Sequence, residues 1–197
     1  MSRRRKIILM IGLAVILITV SLATILISSA LAVSNFRGSA SQQLNSVISE
    51  NKTATVSPVK LAAWPLADIL NPAYRRVKMT QPTYQKLLND ARNYNVMKKC
   101  QNDLTTLYNL HANDDAPLTG NALNVAETCS AVVKNNYPTA QNIKNDLQQL
   151  TQAITSSTTF SQIETSLSTV INDQTTWLNQ IETKLNADLA RFQKSVN

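Results

Sequence analysis

Glycine is scarce: Gly12, Gly38 and Gly120 are the only three in 197 residues, and Gly12 lies in a long apolar run. So few positions free to take left-handed backbone exclude a glycine-rich phosphate loop and disfavour a turn-rich β fold. Histidine occurs once, at His111, with no serine or cysteine nucleophile that the sequence places beside it. It falls near the end of an expected helix, where the dipole mildly stabilises an imidazolium. The 12 acidic residues are scattered, without the Glu-x-x-His spacing of a metal-binding bundle, and nothing selects a carboxylate pair. No RNP, zinc-finger or helix-turn-helix pattern is present to suggest nucleic acid. These scarcities point away from an enzyme, a metal site or a cofactor.

What the chain has in quantity is an apolar run at its start. Arg3, Arg4, Arg5 and Lys6 abut about 21 residues of Ile, Leu, Val, Met and Ala from Ile7 to Ile27. That length spans a hydrocarbon core of roughly 30 Å as one helix. The flanking positive charges belong on the cytoplasmic side, which directs the following 165 residues outward. Secretory signals usually carry a shorter apolar core of about 7–15 residues, so an uncleaved signal-anchor is the leading expectation. Ala30-Leu31-Ala32 is nevertheless a fair cleavage tripeptide, and a secreted effector or adhesin released after Ala32 is the alternative. No cysteine lies near enough for a lipoprotein signal.

The expected organisation is a basic tip and membrane helix over residues 1–32, a stalk and proline-interrupted linker over 33–79, and a helical domain over 80–197. Leu44, Val47 and Ile48 give the stalk modest helical character. Pro58, Pro65, Pro72 and Pro82 are too closely spaced for a long helix to survive between them. Short turns are expected near 59–63 and 66–70, and Trp64 and Tyr74 are too apolar for a free tether. Asn51-Lys52-Thr53 is formally a glycosylation acceptor.

Helical periodicity starts after Thr80, read as an N-cap with Pro82 in the first turn. It runs through Tyr84, Leu87, Leu88, Ala91, Tyr94, Met97, Leu104 and Leu107 to about Ala112. Asn113-Asp114-Asp115-Ala116-Pro117 is a turn composition. A second helix is expected over 121–135 and a third from Pro138 to Ile154. The last, from Phe160 to Val196, has a stripe of Phe160, Ile163, Leu167, Val170, Gln174, Trp177, Ile181, Leu185, Leu189 and Phe192. Gln174 is its one polar member, and the early spacing alternates three and four as in a coiled-coil seam. At about 36 residues this helix would be about 54 Å long, so part of it is expected either to overhang the bundle or to pair with another chain. Trp177, Ile181, Leu185, Leu189 and Phe192 form the candidate interface. The fold expected is all-α: a transmembrane helix, then an antiparallel bundle of about four helices.

Cys100 and Cys129 are the only cysteines. The turn predicted at Asp114-Asp115 lies midway between them, so a hairpin folded there sets both at the same height. Outside the cytoplasm such a pair is expected to oxidise, and closing this loop would stabilise the fold by roughly 3.5 kcal/mol on a chain-entropy estimate. Buried free thiols are the alternative, and a redox or metal site lacks both a Cys-x-x-Cys motif and any second ligand except His111.

Charge is uneven. From Lys60 to Lys99 eight basic residues face Asp68 and Asp90, whereas from Cys100 onward five basic residues face nine acidic ones. Arg75, Arg76, Lys78, Lys98 and Lys99 form a candidate basic patch for an anionic lipid, envelope polymer or acidic protein; internal packing against the acidic helices explains the same pattern. Residues 151–180 hold 19 Ser, Thr, Asn or Gln, a solvated face or one suited to glycans or lateral assembly. The function expected is a non-enzymatic, membrane-anchored, extracytoplasmic protein that contacts protein partners or itself. A small-ligand-sensing bundle is a further alternative.

Overall fold

A computed structural model describes residues 3–49, 57–111 and 120–196. Six α-helices and one 3-10 turn account for the regular structure among them: α1 (Arg3–Ser49), α2 (Ala67–Leu70), α3 (Pro72–His111), α4 (Gly120–Asn136), α5 (Gln141–Ser156), the turn Phe160–Gln162, and α6 (Glu164–Val196). The expected turn at 113–117 and the Asn51 acceptor lie outside the described residues.

The first departure from expectation is at α3. The helix begins at Pro72, eight residues before Thr80, and Pro82 lies inside it. Asn71 is the cap: its Oδ1 accepts the amides of Ala73 at 3.1 Å and Tyr74 at 3.2 Å, and Pro72 fills the first helical position. Pro82 removes one helical hydrogen bond, an interior cost of about 3 kcal/mol. The helix persists because Val77, Tyr84, Leu88 and Ala91, on either side of that proline, are fully buried. Thr80, no cap, donates its hydroxyl to the Val77 carbonyl at 2.7 Å. The expected stalk residues are helical: α1 continues to Ser49, with Phe36, Ala40, Leu44 and Val47 buried at helical spacing.

The chain divides into two compact units. The first comprises residues 1–45, 56–86 and 190–197. Its interior gathers around Tyr84, whose ring meets Phe36 edge-on at 5.6 Å and lies 5.9 Å from Phe192. The Tyr84 hydroxyl donates to Gln43 Oε1 and accepts the Val59 amide at 3.1 Å, while Gln43 Nε2 donates to the Ser57 carbonyl at 2.9 Å. The proline-rich stretch is thus pinned, as the aromatic residues in it suggested. Tyr74 adds a bond to the Ala62 carbonyl at 2.9 Å. Between Pro65 and α2, Leu66 takes left-handed backbone with φ 61°, uncommon for a side chain of that size.

The second unit comprises residues 46–55 and 87–189. One aliphatic core is shared by α3, α4, α5, the 3-10 turn and α6, with Met97, Leu104, Ala126, Leu147, Leu150, Ile163 and Leu167 among its members. α4 and α5 pack directly on one another. α5 begins at Gln141, three residues after Pro138. Thr159 and Gln162 form a capping box around the 3-10 turn, which delays α6 to Glu164. Asn95 donates to the Val47 carbonyl at 2.7 Å, tying the end of α1 into this unit.

Candidate functional site

Two regions carry the features that a function could use, one in each unit. In the first, α1 is long and apolar enough to cross a membrane, with a mean hydropathy of 2.7 over its most apolar window and none of that window buried. Ile8 is 70% exposed, Leu17 60% and Ile27 63%. The hydroxyls within it turn inward on the helix: Thr19 bonds the Val15 and Ile16 carbonyls, Ser21 that of Leu17, and Thr24 that of Val20. Protein packing begins at Ser29, which is buried and accepts Asn71 Nδ2 at 2.9 Å. Of the topology residues, Arg4, Arg5 and Lys6 are exposed in the first turns of α1, and the Arg3 backbone opens the helix.

The candidate basic residues are divided between the two units. Arg75, Arg76 and Lys78 fall in the first unit and Lys98 and Lys99 in the second. Lys78 pairs with Asp68, a contact that raises its pKa, and Lys99 pairs with Asp103 at 2.7 Å. Lys98 lies 5.7 Å over the Tyr94 ring. The first unit gathers charge that the linear segment did not reveal. Beyond residue 6 it holds Arg37, Lys60, Arg75, Arg76, Lys78, Lys86, Arg191 and Lys194 against Asp68 alone, eight minus one.

In the second unit Cys100 and Cys129 stand at disulfide distance, their Cα atoms 5.5 Å apart, in the hairpin register that their spacing predicts. The C-terminal stripe turns into the chain's own interior. Leu185 and Phe192 are buried, Trp177 and Ile181 pack on the core of the second unit, and Leu189 is half-buried. Leu178, outside the expected stripe, is buried with it because the helical period drifts past a strict seven-residue repeat. Gln174 is fully buried, and neither its Oε1 nor its Nε2 has a hydrogen-bond partner.

The same stretch of α6 borders a cleft of about 380 Å³, lined by Gln141 and Asn142 of α5 and Asp173, Thr176, Trp177 and Gln180 of α6. Trp177 is met edge-on by Tyr137 at 4.5 Å. Burial raises the Tyr137 phenol pKa, and the charge of Asp90 adds to it. The Tyr94 phenol is raised by burial and by its 2.7 Å hydrogen bond to Glu182. Both phenols are therefore protonated donors at neutral pH. A carboxyl pair that the sequence did not single out joins α5 to α6: burial, then a hydrogen bond with Asp173, hold Asp146 above the ordinary carboxylate range. One tryptophan with amide, hydroxyl and carboxyl neighbours suits hydrogen bonding to a neutral polar ligand.

His111 stacks on Phe160 with ring centres 5.8 Å apart. No group of three or more His, Cys, Asp or Glu that could hold a metal occurs among the described residues. No family model, curated protein or solved structure matches the chain.

Proposed function

We propose that this chain is a single-pass, membrane-anchored helical protein whose residues beyond α1's apolar stretch work outside the cytoplasm as a non-enzymatic interaction module. The observation that carries the reading is the wholly exposed apolar stretch of α1. Twenty-odd apolar residues left uncovered by their own fold need a hydrocarbon environment, and 21 residues at 1.5 Å each match its thickness. Orientation follows from the basic residues close to the span. Arg3 to Lys6 precede it, and Arg37 is the one basic residue in the twenty that follow it.

Retention of the anchor is supported by the continuity of α1 through Ala30-Leu31-Ala32, with Ala32 buried. Cutting after Ala32 would separate Ser29 from the remainder and remove its hydrogen bond with Asn71. The second unit is an antiparallel four-helix bundle closed by an oxidised Cys100–Cys129 bridge, as suits an oxidising compartment. Partner contact falls to polar faces of this bundle, beside the half-buried Trp177, Ile181 and Leu189 of α6.

Carbonate extraction tests the anchor. The wild-type chain stays in the membrane pellet. Leu13→Lys with Ile16→Lys adds about 6 kcal/mol to insertion and moves the chain to the supernatant. Release of the wild-type chain by carbonate would overturn the reading.

A further inference from the structure

We propose that Arg37 binds the phosphate of an anionic phospholipid in a cavity just beyond the membrane span. This inference rests on the membrane-anchored reading. The cavity, about 280 Å³, is lined by Ala30, Val33, Ser34 and Arg37 of α1 together with Asn71 and Ala73 at the start of α3. Ala30 lies three residues past Ile27, about 4.5 Å along the helix, so the cavity opens at the level where headgroups replace acyl chains. Ala30 and Arg37 are two turns apart on one face, and long helical side chains lean toward the N-terminus. From Arg37 that lean carries the guanidinium toward the bilayer.

Three features select an anion. The buried Nε of Arg37 has no hydrogen-bond partner, and a guanidinium is the side chain whose planar fork matches phosphate oxygens. Asn71 is already committed, its Oδ1 to the Ala73 and Tyr74 amides and its Nδ2 to Ser29. The arginine, rather than the start of α3, is therefore the donor left for a ligand, with the Ser34 hydroxyl beside it. The unit around the cavity is also of one sign: its single acidic residue, Asp68, is paired with Lys78. Anionic headgroups concentrate at such a surface.

The test uses the full chain in detergent, mixed with equal phosphatidylglycerol and phosphatidylcholine and read by native mass spectrometry. The wild-type chain retains phosphatidylglycerol preferentially, and Arg37→Gln lowers that retention about tenfold while Lys144→Gln, in α5, leaves it unchanged. Ser34→Leu, which fills the cavity, lowers it as well and replaces Arg37→Gln should that variant fail to fold. Equal retention by wild type and Arg37→Gln overturns the inference. So does displacement of the lipid by 10 mM inorganic phosphate, which would make the site one for a free anion. A carbonate-resistant chain with no lipid preference defeats this inference alone; a carbonate-soluble chain defeats the membrane reading beneath it.

Discussion

The two units are built from the same helices yet differ in charge and in what holds them. Beyond residue 6 the unit containing the apolar helix carries +7, and the unit containing the cysteines carries −4, with seven basic residues against eleven acidic. The first is organised around one tyrosine that joins α1, the proline-rich stretch and α3 through hydrogen bonds, with aromatic contacts to Phe36 and Phe192. The second relies on aliphatic burial and the cysteine pair. The lesson is that helix content says little about role. α1, α3 and α6 each supply residues to both units, and along α6 the net charge changes sign, from −3 over residues 164–189 to +2 over residues 190–196. On the membrane reading, a cationic surface suits the unit that holds the apolar helix, because anionic headgroups attract it.

The sharpest way to break this contrast is to remove the bridge. Replacing both Cys100 and Cys129 with alanine costs the second unit about 3.5 kcal/mol. Hydrogen exchange locates the loss: protection falls in α4 and α5, while amides of residues 57–86 keep theirs. Equal loss in both regions would show that the two units unfold as one. Tyr84→Phe is the converse experiment. It strips the Val59 amide and Gln43 of a shared partner and costs about 1–2 kcal/mol, with protection lost at residues 57–86 and retained around Leu147 and Leu150.

The smallest effect concerns the carboxyl pair. The folded pKa of Asp146 is raised, so the group favours the folded state at low pH and that contribution is lost as pH rises through the folded value. Asp146→Asn gives Asp173 an uncharged donor at every pH. It should therefore stabilise the second unit at pH 7 by about 0.5 kcal/mol, the scale of a solvent-screened charge pair, and have no effect near pH 3. A loss of stability at pH 7, measured by urea denaturation in detergent, would contradict this reading of the pair.

Much of the architecture is legible in the residue order because the signals are local. Four cations followed by a long uncharged, mostly apolar run define α1, and the steps of three and four at Ile143, Leu147, Leu150 and Ile154 define the buried face of α5. The symmetric spacing of Cys100 and Cys129 about one turn composition sets their register. The start of α3 was legible too, but at the other proline: Asn71-Pro72 is the stronger cap and first-turn signal, and Thr80-Pro82 imitates it. Whether Pro82 ends a helix depends on tertiary burial at Val77 and Tyr84, which no local rule contains.

The candidate sites were less legible for the same reason. Asp146 and Asp173 are 27 positions apart on different helices, and only packing makes them neighbours. Arg37 is a lone cation in a run of neutral residues; its significance comes from Asn71 and Ala73 across the cavity. The C-terminal stripe was visible, but a pattern of apolar residues does not say whether its partner lies in the same chain. Leu185 and Phe192 are buried within the chain itself, whereas Trp177, Ile181 and Leu189 are half-buried.

The central claim, an uncleaved anchor carrying an oxidised helical module, is tested most directly by intact mass. The native protein is measured from separated membrane and soluble fractions, with and without reduction. The account predicts the full-length mass in the membrane fraction alone, rising by about two mass units on reduction, one hydrogen per cysteine of the bridge. A soluble species beginning at Val33, or a membrane species whose mass reduction leaves unchanged, would contradict it.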